Sequence, residues 1–301
     1  MSAAEVAARL GLYRAGHTFR GECPCCHYPT GLVLADGRGG RLKAWCVNGC
    51  GERPTPTASD PHPVSPLWVE LCDLGGGVKA YMPSSGAGAS SADKVAEQAR
   101  KTARALGSWN GAEPVPGMPA EQYLKSRRIE HIASSPALRW RADVPHPSGR
   151  GRLPALLCRI DGPDGNFRAL QRIYLKRDGS GKAEIEPAKA SLGPVAGGAV
   201  RLDAAAAELV VAEGVETTAA AGRLLGLPAW AAVSCGNLAR SMVLPPDVRS
   251  VVIAVDRDPP GERAAREAAW RWKREGRRVR LMVPDREGQD ANDVLRERAD
   301  A

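Results

Sequence analysis

The chain has 301 residues, of which 43% are hydrophobic, and its formal net charge at pH 7 is +8. This length suggests two or three domains, and the apolar fraction is sufficient for packed cores. No apolar run is long enough to span a bilayer, and the N-terminus lacks a basic-then-apolar leader. We therefore expect a cytoplasmic protein with no membrane partner.

Charge and cysteine content narrow the class of partner. Residues 101–200 hold 16 Lys and Arg against 9 Asp and Glu, so the surplus positive charge lies in the middle of the chain. Such a surplus favours an anionic partner such as nucleic acid or nucleotides, although an ordinary basic surface shows the same excess. Eight cysteines without a secretion signal indicate a reducing compartment and metal binding rather than disulfides.

The first fifty residues predict a small metal-binding module. Residues 1–10 are typical of a short Ala-rich helix that ends near Gly11, and residues 31–34 and 41–45 predict two strands joined by a Gly-rich turn. One Cys-x2-Cys knuckle precedes these strands, and a second knuckle, one residue longer, follows them. Paired knuckles bring four thiolates within tetrahedral reach of one structural zinc ion. The expected ligands are Cys23, Cys26, Cys46 and Cys50.

The second zinc ligand has an alternative. Cys25 is an extra cysteine within the first knuckle, and His27 is able to replace Cys26. The sequence alone leaves this choice open.

The next hundred residues predict a linker followed by an α+β region. Residues 52–66 are rich in Pro and Thr, residues 67–82 are consistent with two short strands, and residues 84–93 are typical of a flexible joint. Helical patterns then follow at residues 94–106 and 119–128.

A basic hairpin follows these helices. Residues 153–160 and 167–175 are strand-like and flank a Gly-, Pro- and Asp-rich turn, which is a hairpin signal. Because alternate residues on a strand share a face, part of the basic set on and after this hairpin could form a cationic ridge. The alternative is an ordinary solvated strand face. The residues that we expect to bind nucleotides or DNA here are Arg159, Arg168, Arg172 and Lys189.

Two apolar runs near the C-terminus end in acidic residues. Residues 209–212 precede Glu213, and residues 251–255 precede Asp256 and Asp258. Continuous apolar runs suit strands buried on both faces of a parallel sheet, and the helical segment after each run predicts a doubly wound α/β sheet. Ligands bind beyond the carboxyl ends of such strands. Three carboxylates at that edge repel one another unless a hard cation such as Mg²⁺ lies between them.

The order and spacing of these acidic motifs resemble the Toprim domain of bacterial-type primases, topoisomerases and some nucleases. The motifs are Glu213-Gly214 and the Asp-x-Asp-x-x-Gly segment from Asp256 to Gly261. The loop 234–237, which contains Gly236, is similar to the small-residue loop after the second strand of that family. Asp290 and Asp293 resemble the third acidic motif of its primase branch.

The resemblance implies a set of roles. Asp256 and Asp258 hold a Mg²⁺ or Mn²⁺ ion, which binds the triphosphate, and Asp290 or Asp293 completes the metal shell. Glu213 acts as a general base or as a ligand of a second metal ion. Cellular primases carry an Asp where this chain has Thr217, so it is open whether Glu216, one residue earlier, takes that role.

The other segments resemble parts of primases as well. The paired knuckles are similar to the N-terminal zinc ribbon that helps primases read a template, although a Cys replaces the His found in many such ribbons. The middle segment resembles primase-like proteins of phages and mobile elements, in which a Gly-x-x-Arg strand and a downstream Lys match Arg172 and Lys189.

Together these resemblances imply a DNA primase-like nucleotidyltransferase that makes short primers on single-stranded DNA from nucleoside triphosphates. A Toprim nuclease and a non-catalytic DNA-binding partner of a replicative helicase are the alternatives, and any helicase motor is expected on a separate protein. The predicted organisation is a zinc ribbon at 1–55, a linker with a possible short hairpin at 56–93, a basic α+β domain at 94–203 and a doubly wound, mostly parallel α/β domain at 204–301.

Overall fold

The structure is a computed structural model that describes residues 2–23, 31–36, 42–46, 91–149 and 151–300. The chain divides into two compact units, residues 1–88 and residues 89–301. Within the described ranges, no helix is long and apolar enough to cross a membrane. The predicted linker at 52–66 and the predicted strands within 67–82 lie outside these ranges.

The N-terminal unit is a helix packed on a small antiparallel sheet. Helix α1 is capped by Ser2, whose hydroxyl accepts from the Glu5 amide while the Glu5 carboxylate accepts from the Ser2 amide. Its apolar side packs on the third strand of the sheet. The predicted helix and the two later strands are confirmed, and the two earlier strands are additional. The elements are α1 (Ala3–Arg9), β1 (Tyr13–Ala15), β2 (Thr18–Gly21), β3 (Leu32–Asp36) and β4 (Leu42–Cys46).

The second unit begins with two helices and a four-stranded antiparallel sheet in the order β5-β6-β7-β8. The predicted hairpin is confirmed as the β6–β7 pair. The predicted flexible joint is wrong at residues 91–93, because the first long helix already begins at Ser91. The elements are α2 (Ser91–Asn110), α3 (Pro119–Ser126), a 3₁₀ turn (Glu130–Ile132), β5 (Leu138–Pro145), β6 (Arg152–Asp161), β7 (Phe167–Tyr174) and β8 (Lys189–Leu192).

The two faces of this sheet have different neighbours. Leu157 and Tyr174 pack with Trp109 of α2, whereas Leu156 and Ile173 belong to the core shared with the C-terminal sheet. Residues opposite each other on paired strands point to the same face, so the register assigns any position to one of these sides.

The C-terminal part is a five-stranded sheet in the order β13-β12-β10-β11-β9, in which only β9 is antiparallel to its neighbour. This arrangement confirms the predicted doubly wound, mostly parallel α/β fold. The elements are β9 (Val200–Arg201), β10 (Glu208–Ala212), α4 (Val215–Leu225), β11 (Ala229–Ala231), a π-helical turn (Asn237–Ser241), β12 (Ser250–Ala254), α5 (Pro259–Arg274), β13 (Arg278–Met282) and α6 (Ala291–Asp300).

Helices cover both faces of the parallel strands. Helix α5 buries a stripe that includes Ala265, Ala268 and Trp272 against one face, and α4 packs on the other with α6 beside it. From β10 the chain passes to β11 on one side and later to β12 on the other. The carboxyl end of β10 is therefore the switch point at which open α/β sheets bind ligands.

Candidate functional site

Carboxylates gather at this switch point. Glu213 follows the last residue of β10, and Asp256 and Asp258 follow β12, its parallel neighbour. Asp290 lies directly before α6. We call Glu213, Asp256, Asp258 and Asp290 the acidic cluster.

Asp256 is the most perturbed member of the cluster. Burial raises its pKa from 3.8 to about 7, and repulsion from Glu213, Asp290 and Asp258 adds to this effect. Its Oδ1 is buried and has no hydrogen-bond partner in the described structure. An orphaned, repelled carboxylate oxygen is costly unless a cation or a proton completes its surroundings.

Asp258 also has a structural role. It is the N-cap of α5, and its Oδ1 accepts a hydrogen bond of 2.7 Å from the amide of Gly261. A Cβ atom at position 261 would lie 2.4 Å from the carbonyl oxygen of Asp256. The glycine of the Asp-x-Asp-x-x-Gly motif is thus required by the close approach of the backbone.

The third acidic motif divides between two locations. Asp290 caps α6 by accepting from the amides of Asn292 and Asp293, and its other oxygen accepts from the hydroxyl of Thr217 at 2.8 Å. Asp293 accepts from the amide of Asp290 and lines a neighbouring polar cavity with Arg286 and Glu297. The structure therefore brings Asp290 to the acidic cluster and directs Asp293 toward that cavity.

Cys235 is a contact of the cluster that the sequence did not reveal. Its thiol donates to Oε2 of Glu213, and burial and the nearby carboxylates raise the pKa of this thiol. Burial likewise raises the pKa of Glu213. The contact depends on the path of the loop after β11, which carries no periodic signal in the sequence.

That loop is held in an unusual conformation. Val233 has a φ of 74°, which is rare for a β-branched residue, and its amide donates to the carbonyl of Glu213. The buried side chain of Asn237 bonds the loop to the carbonyls of Ala232 and Gly198. Gly236, a predicted nucleotide-binding residue, lies in this fixed loop, directly before the π-helical turn.

A buried ion network adjoins the cluster. Oε1 of Glu216 lies 2.9 Å from Nζ of Lys182 and accepts a 2.8 Å hydrogen bond from the hydroxyl of Tyr123, while Nζ of Lys189 lies 3.9 Å from Oε2. Burial alone would raise the pKa of Glu216, but the charges of Lys189 and Lys182 outweigh it and hold that pKa well below its usual range. We call Tyr123, Lys182, Lys189 and Glu216 the lysine–glutamate network.

The contacts of this network bear on whether Glu216 takes the role of the Asp expected at the position of Thr217. Glu216 is occupied with cations, whereas Thr217 donates to Asp290 of the acidic cluster. The structure therefore places the carboxylate of Glu216 in the lysine–glutamate network and the hydroxyl of Thr217 at the acidic cluster. Lys189, by contrast, is close enough to lower the pKa of both Glu213 and Asp256.

The expected basic ridge is split between the two faces of the middle sheet. Lys189 pairs with Ile173, which faces the C-terminal sheet, whereas Arg172 pairs with Leu157, which faces α2. Arg159 pairs with Leu170 on that same α2 side. These arginines therefore do not stand beside the acidic cluster.

Arg172 and Arg159 already have hydrogen-bond or ion-pair partners within the protein. Arg172 is 6% exposed, and its guanidinium donates to the carbonyls of Pro145, Ala190 and Ser191. Arg172 therefore does not stand on an exposed cationic ridge, because its donors hold strands together. Nε of Arg159 lies 2.6 Å from Oδ1 of Asp161, and Arg168 is half-buried beside the hairpin turn.

The described zinc candidates lie at one end of the N-terminal sheet. Leu32 pairs with Gly21 on one side and with Cys46 on the other, and Cys23 follows two residues after Gly21. The side chain of Cys23 is buried in the core under α1. Cys26 and Cys50, and the alternatives Cys25 and His27, lie outside the described residues.

The residues at the switch point fit a hard cation chemically. Their donors are carboxylate oxygens, one of them orphaned, and two have a raised pKa because the charged forms are desolvated and repel one another. As they stand, no three His, Cys, Asp or Glu side chains in the described ranges form a ready metal site.

Two family models match the chain. Residues 99–202 match a domain of unknown function, DUF7146, and residues 208–301 match the Toprim domain. None of the curated proteins matches the chain.

Several solved primase structures are similar to this fold. A DnaG primase catalytic domain bound to single-stranded DNA is 17% identical with a TM-score of 0.45, and the match covers 67% of this chain and 78% of that one. The zinc-binding and RNA polymerase domains of Aquifex aeolicus primase are 14% identical (TM-score 0.43, 99% and 80% covered). The primase fragment of the bacteriophage T7 primase-helicase is 13% identical (TM-score 0.42, 94% and 96% covered). At these values the similarities carry no argument, and the named family that a sequence model shows is the Toprim domain, matched by residues 208–301.

Proposed function

We propose that the chain is a DNA primase-like nucleotidyltransferase that makes short primers on single-stranded DNA from nucleoside triphosphates. The observation that carries this proposal is the acidic cluster of the Toprim domain, in which the buried Asp256 has an orphaned oxygen and a pKa raised to about 7. Lys189, at the edge of this cluster, adds a cation that suits a phosphate group.

The acidic cluster would hold the catalytic Mg²⁺ or Mn²⁺ through Asp256 and Asp258, with Asp290 as a further ligand. A divalent cation bound there would neutralise phosphate charge and polarise the reacting phosphorus centre. Glu213 would take the proton from the attacking hydroxyl, since burial raises its pKa toward the range of a general base.

The lysine–glutamate network would hold the triphosphate. Glu216 forms an ion pair with Lys182 at 2.9 Å. Lys189, whose side chain is 40% exposed, lies between Glu216 and the acidic cluster. Lys189 would bind the phosphates from this position, which is close enough to the acidic cluster to lower the pKa of both Glu213 and Asp256.

The N-terminal unit would bind zinc and help to read the template. The convergence of the strand ends near Cys23 and Cys46 supports a single zinc site at that end of the sheet. We retain Cys23, Cys26, Cys46 and Cys50 as the proposed ligands, and a separate replicative helicase as a possible partner.

The deciding experiment is incubation of the protein with single-stranded DNA, labelled nucleotides and Mg²⁺ or Mn²⁺. Glu213→Gln and Asp256→Asn should abolish primer synthesis, by about a hundredfold or more. Asp247→Asn, at an exposed acidic residue away from the cluster, is the matched control and should retain activity. Strand cleavage in place of synthesis would identify a Toprim nuclease, and no turnover would leave a DNA-binding role.

A further inference from the structure

The face of the middle sheet that is turned toward α2 contains a cavity rich in arginine. Its volume is about 270 Å³, and it lies between α2, β5, the start of β6, β7 and the end of β8. We call it the arginine cavity. The residues that line it are Arg104, Gly107, Ser108, Arg141, Val144, Pro145, Arg152, Arg172 and Leu192.

The arginine cavity has an unbalanced charge. Four guanidinium groups line it, and none of its lining residues within the described ranges is acidic. Asp143 next to it pairs with Arg152 and compensates one of the four. Arg141 donates one hydrogen bond to the carbonyl of Ser108, which leaves its positive charge in place.

Arg172 forms a charged, desolvated wall of the cavity. Burial lowers the pKa of its guanidinium, and the nearby charge of Arg104 lowers it further. Its hydrogen-bond partners are backbone carbonyls rather than carboxylates. Among the described residues Arg172 has no carboxylate partner; a buried cation in that state is costly, and an anion in the adjoining cavity would offset that cost.

We propose that the arginine cavity binds phosphate groups of a single-stranded nucleic acid. Arginine forks suit phosphate oxygens, and the volume admits a phosphate with part of its sugar. Arg100 lies one helical turn before Arg104 on the exposed side of α2, where its guanidinium is 3.9 Å from the carboxylate of Glu97. Several guanidinium groups side by side suit a polymer of phosphates better than a single small anion.

This surface is separate from the acidic cluster. Arg172 and Lys189 lie on opposite faces of the same sheet, so a strand held in the arginine cavity does not occupy the position of a triphosphate beside Lys189. The inference extends the proposed function by assigning a strand-binding surface. Its test requires neither metal nor turnover, so it can fail while primer synthesis stands.

The test is the binding of a fluorescent oligothymidylate to the full chain in EDTA, at salt concentrations from 50 to 200 mM. Arg104→Ala should reduce the slope of log affinity against log salt by roughly 0.7–1, the value of one phosphate contact. Its affinity deficit should therefore be about threefold larger at 50 mM than at 200 mM salt. Arg104→Glu should have a larger effect in the same direction, and Arg141→Ala provides a second, independent position.

Arg249, which is exposed in the C-terminal part of the chain, supplies matched controls with identical charge changes. Equal losses for Arg104→Glu and Arg249→Glu would show a general effect of charge and would overturn the proposal. Unchanged binding for both Arg104 and Arg141 variants, with unchanged thermal unfolding, would also overturn it. Loss of inorganic triphosphate binding without loss of oligothymidylate binding would overturn the assignment to nucleic acid.

Discussion

Asp256 and Glu216 illustrate opposite solutions for a buried carboxylate. Asp256 lies among like charges and has a raised pKa, whereas Glu216 lies between two lysines and has a lowered pKa. Both follow strands of one sheet, yet only Asp256 is poised to gain a cation. Asp256 therefore belongs to the proposed metal site, and Glu216 belongs to the network proposed to position the phosphates.

Replacing Asp256 by Asn tests the first case. The folded pKa of Asp256, about 7, exceeds the ordinary value of 3.8. Its contribution to stability is therefore fully present below pH 3.8 and is lost as the pH rises from 3.8 to about 7. Between these two pH values the metal-free wild type should lose roughly 1.4 kcal/mol of unfolding free energy per pH unit. Asp256→Asn should lack that slope in urea unfolding measured at several pH values.

Addition of Mg²⁺ provides the contrast for that experiment. Wild type should gain thermal stability near pH 7, because a cation favours the ionised form of Asp256, and the variant should gain little. Identical pH slopes for the two proteins would show that folding does not raise the pKa of Asp256.

Replacing Glu216 by Gln tests the second case. The change removes the charge that holds Lys182 and Lys189, so we expect a loss of roughly 1–3 kcal/mol of unfolding free energy together with weaker nucleotide binding. Tyr123→Phe is the matched control, since it removes only one hydrogen bond to the same carboxylate and should cost about 1 kcal/mol. Weaker nucleotide binding in both variants to the same degree would indicate general loosening rather than loss of lysine positioning.

At the scale of elements, Arg172 connects three strands. Its donors reach the carbonyl at the end of β5 and two carbonyls of β8, while the residue itself belongs to β7. Arg172→Ala should therefore cost about 2–4 kcal/mol of unfolding free energy, because buried carbonyls lose their donors. Arg168→Ala, at a half-buried position of the same strand, should cost less than about 1 kcal/mol. Equal effects in urea unfolding would show that Arg172 holds no strand in place.

The elements also show what the sequence was able to predict. The strands that end before Glu213 and Asp256 were predicted within a residue, because burial on both faces produces continuous apolar runs. The separation of Arg172 from Lys189 was not predictable, since it depends on the register between β7 and β8. The approach of Cys235 to Glu213 depends on a loop held by Asn237, which leaves no periodic pattern.

At the scale of the whole molecule, the two compact units should respond differently to chelation. Closed thiolate sites contribute on the order of 10 kcal/mol to small modules, so removal of zinc should unfold residues 1–88 and leave residues 89–301 folded. Elemental analysis should give one zinc per chain, and calorimetry after chelation should lose one transition. Protein purified without chelator that contains no stoichiometric zinc would contradict this prediction.

Three helix N-termini meet the acidic cluster. Helices α4, α5 and α6 begin just after Glu213, Asp258 and Asp290 respectively. Each helix dipole places roughly half a positive charge at its N-terminus, which together amounts to about 1.5 charges. Lys189 adds one more against the four carboxylates, which a bound cation would keep ionised. The remaining negative charge of about 1.5 is similar in size to the positive charge of one divalent cation. In the absence of substrate the cluster is therefore balanced for a single ion, and a second would have to arrive together with the phosphates.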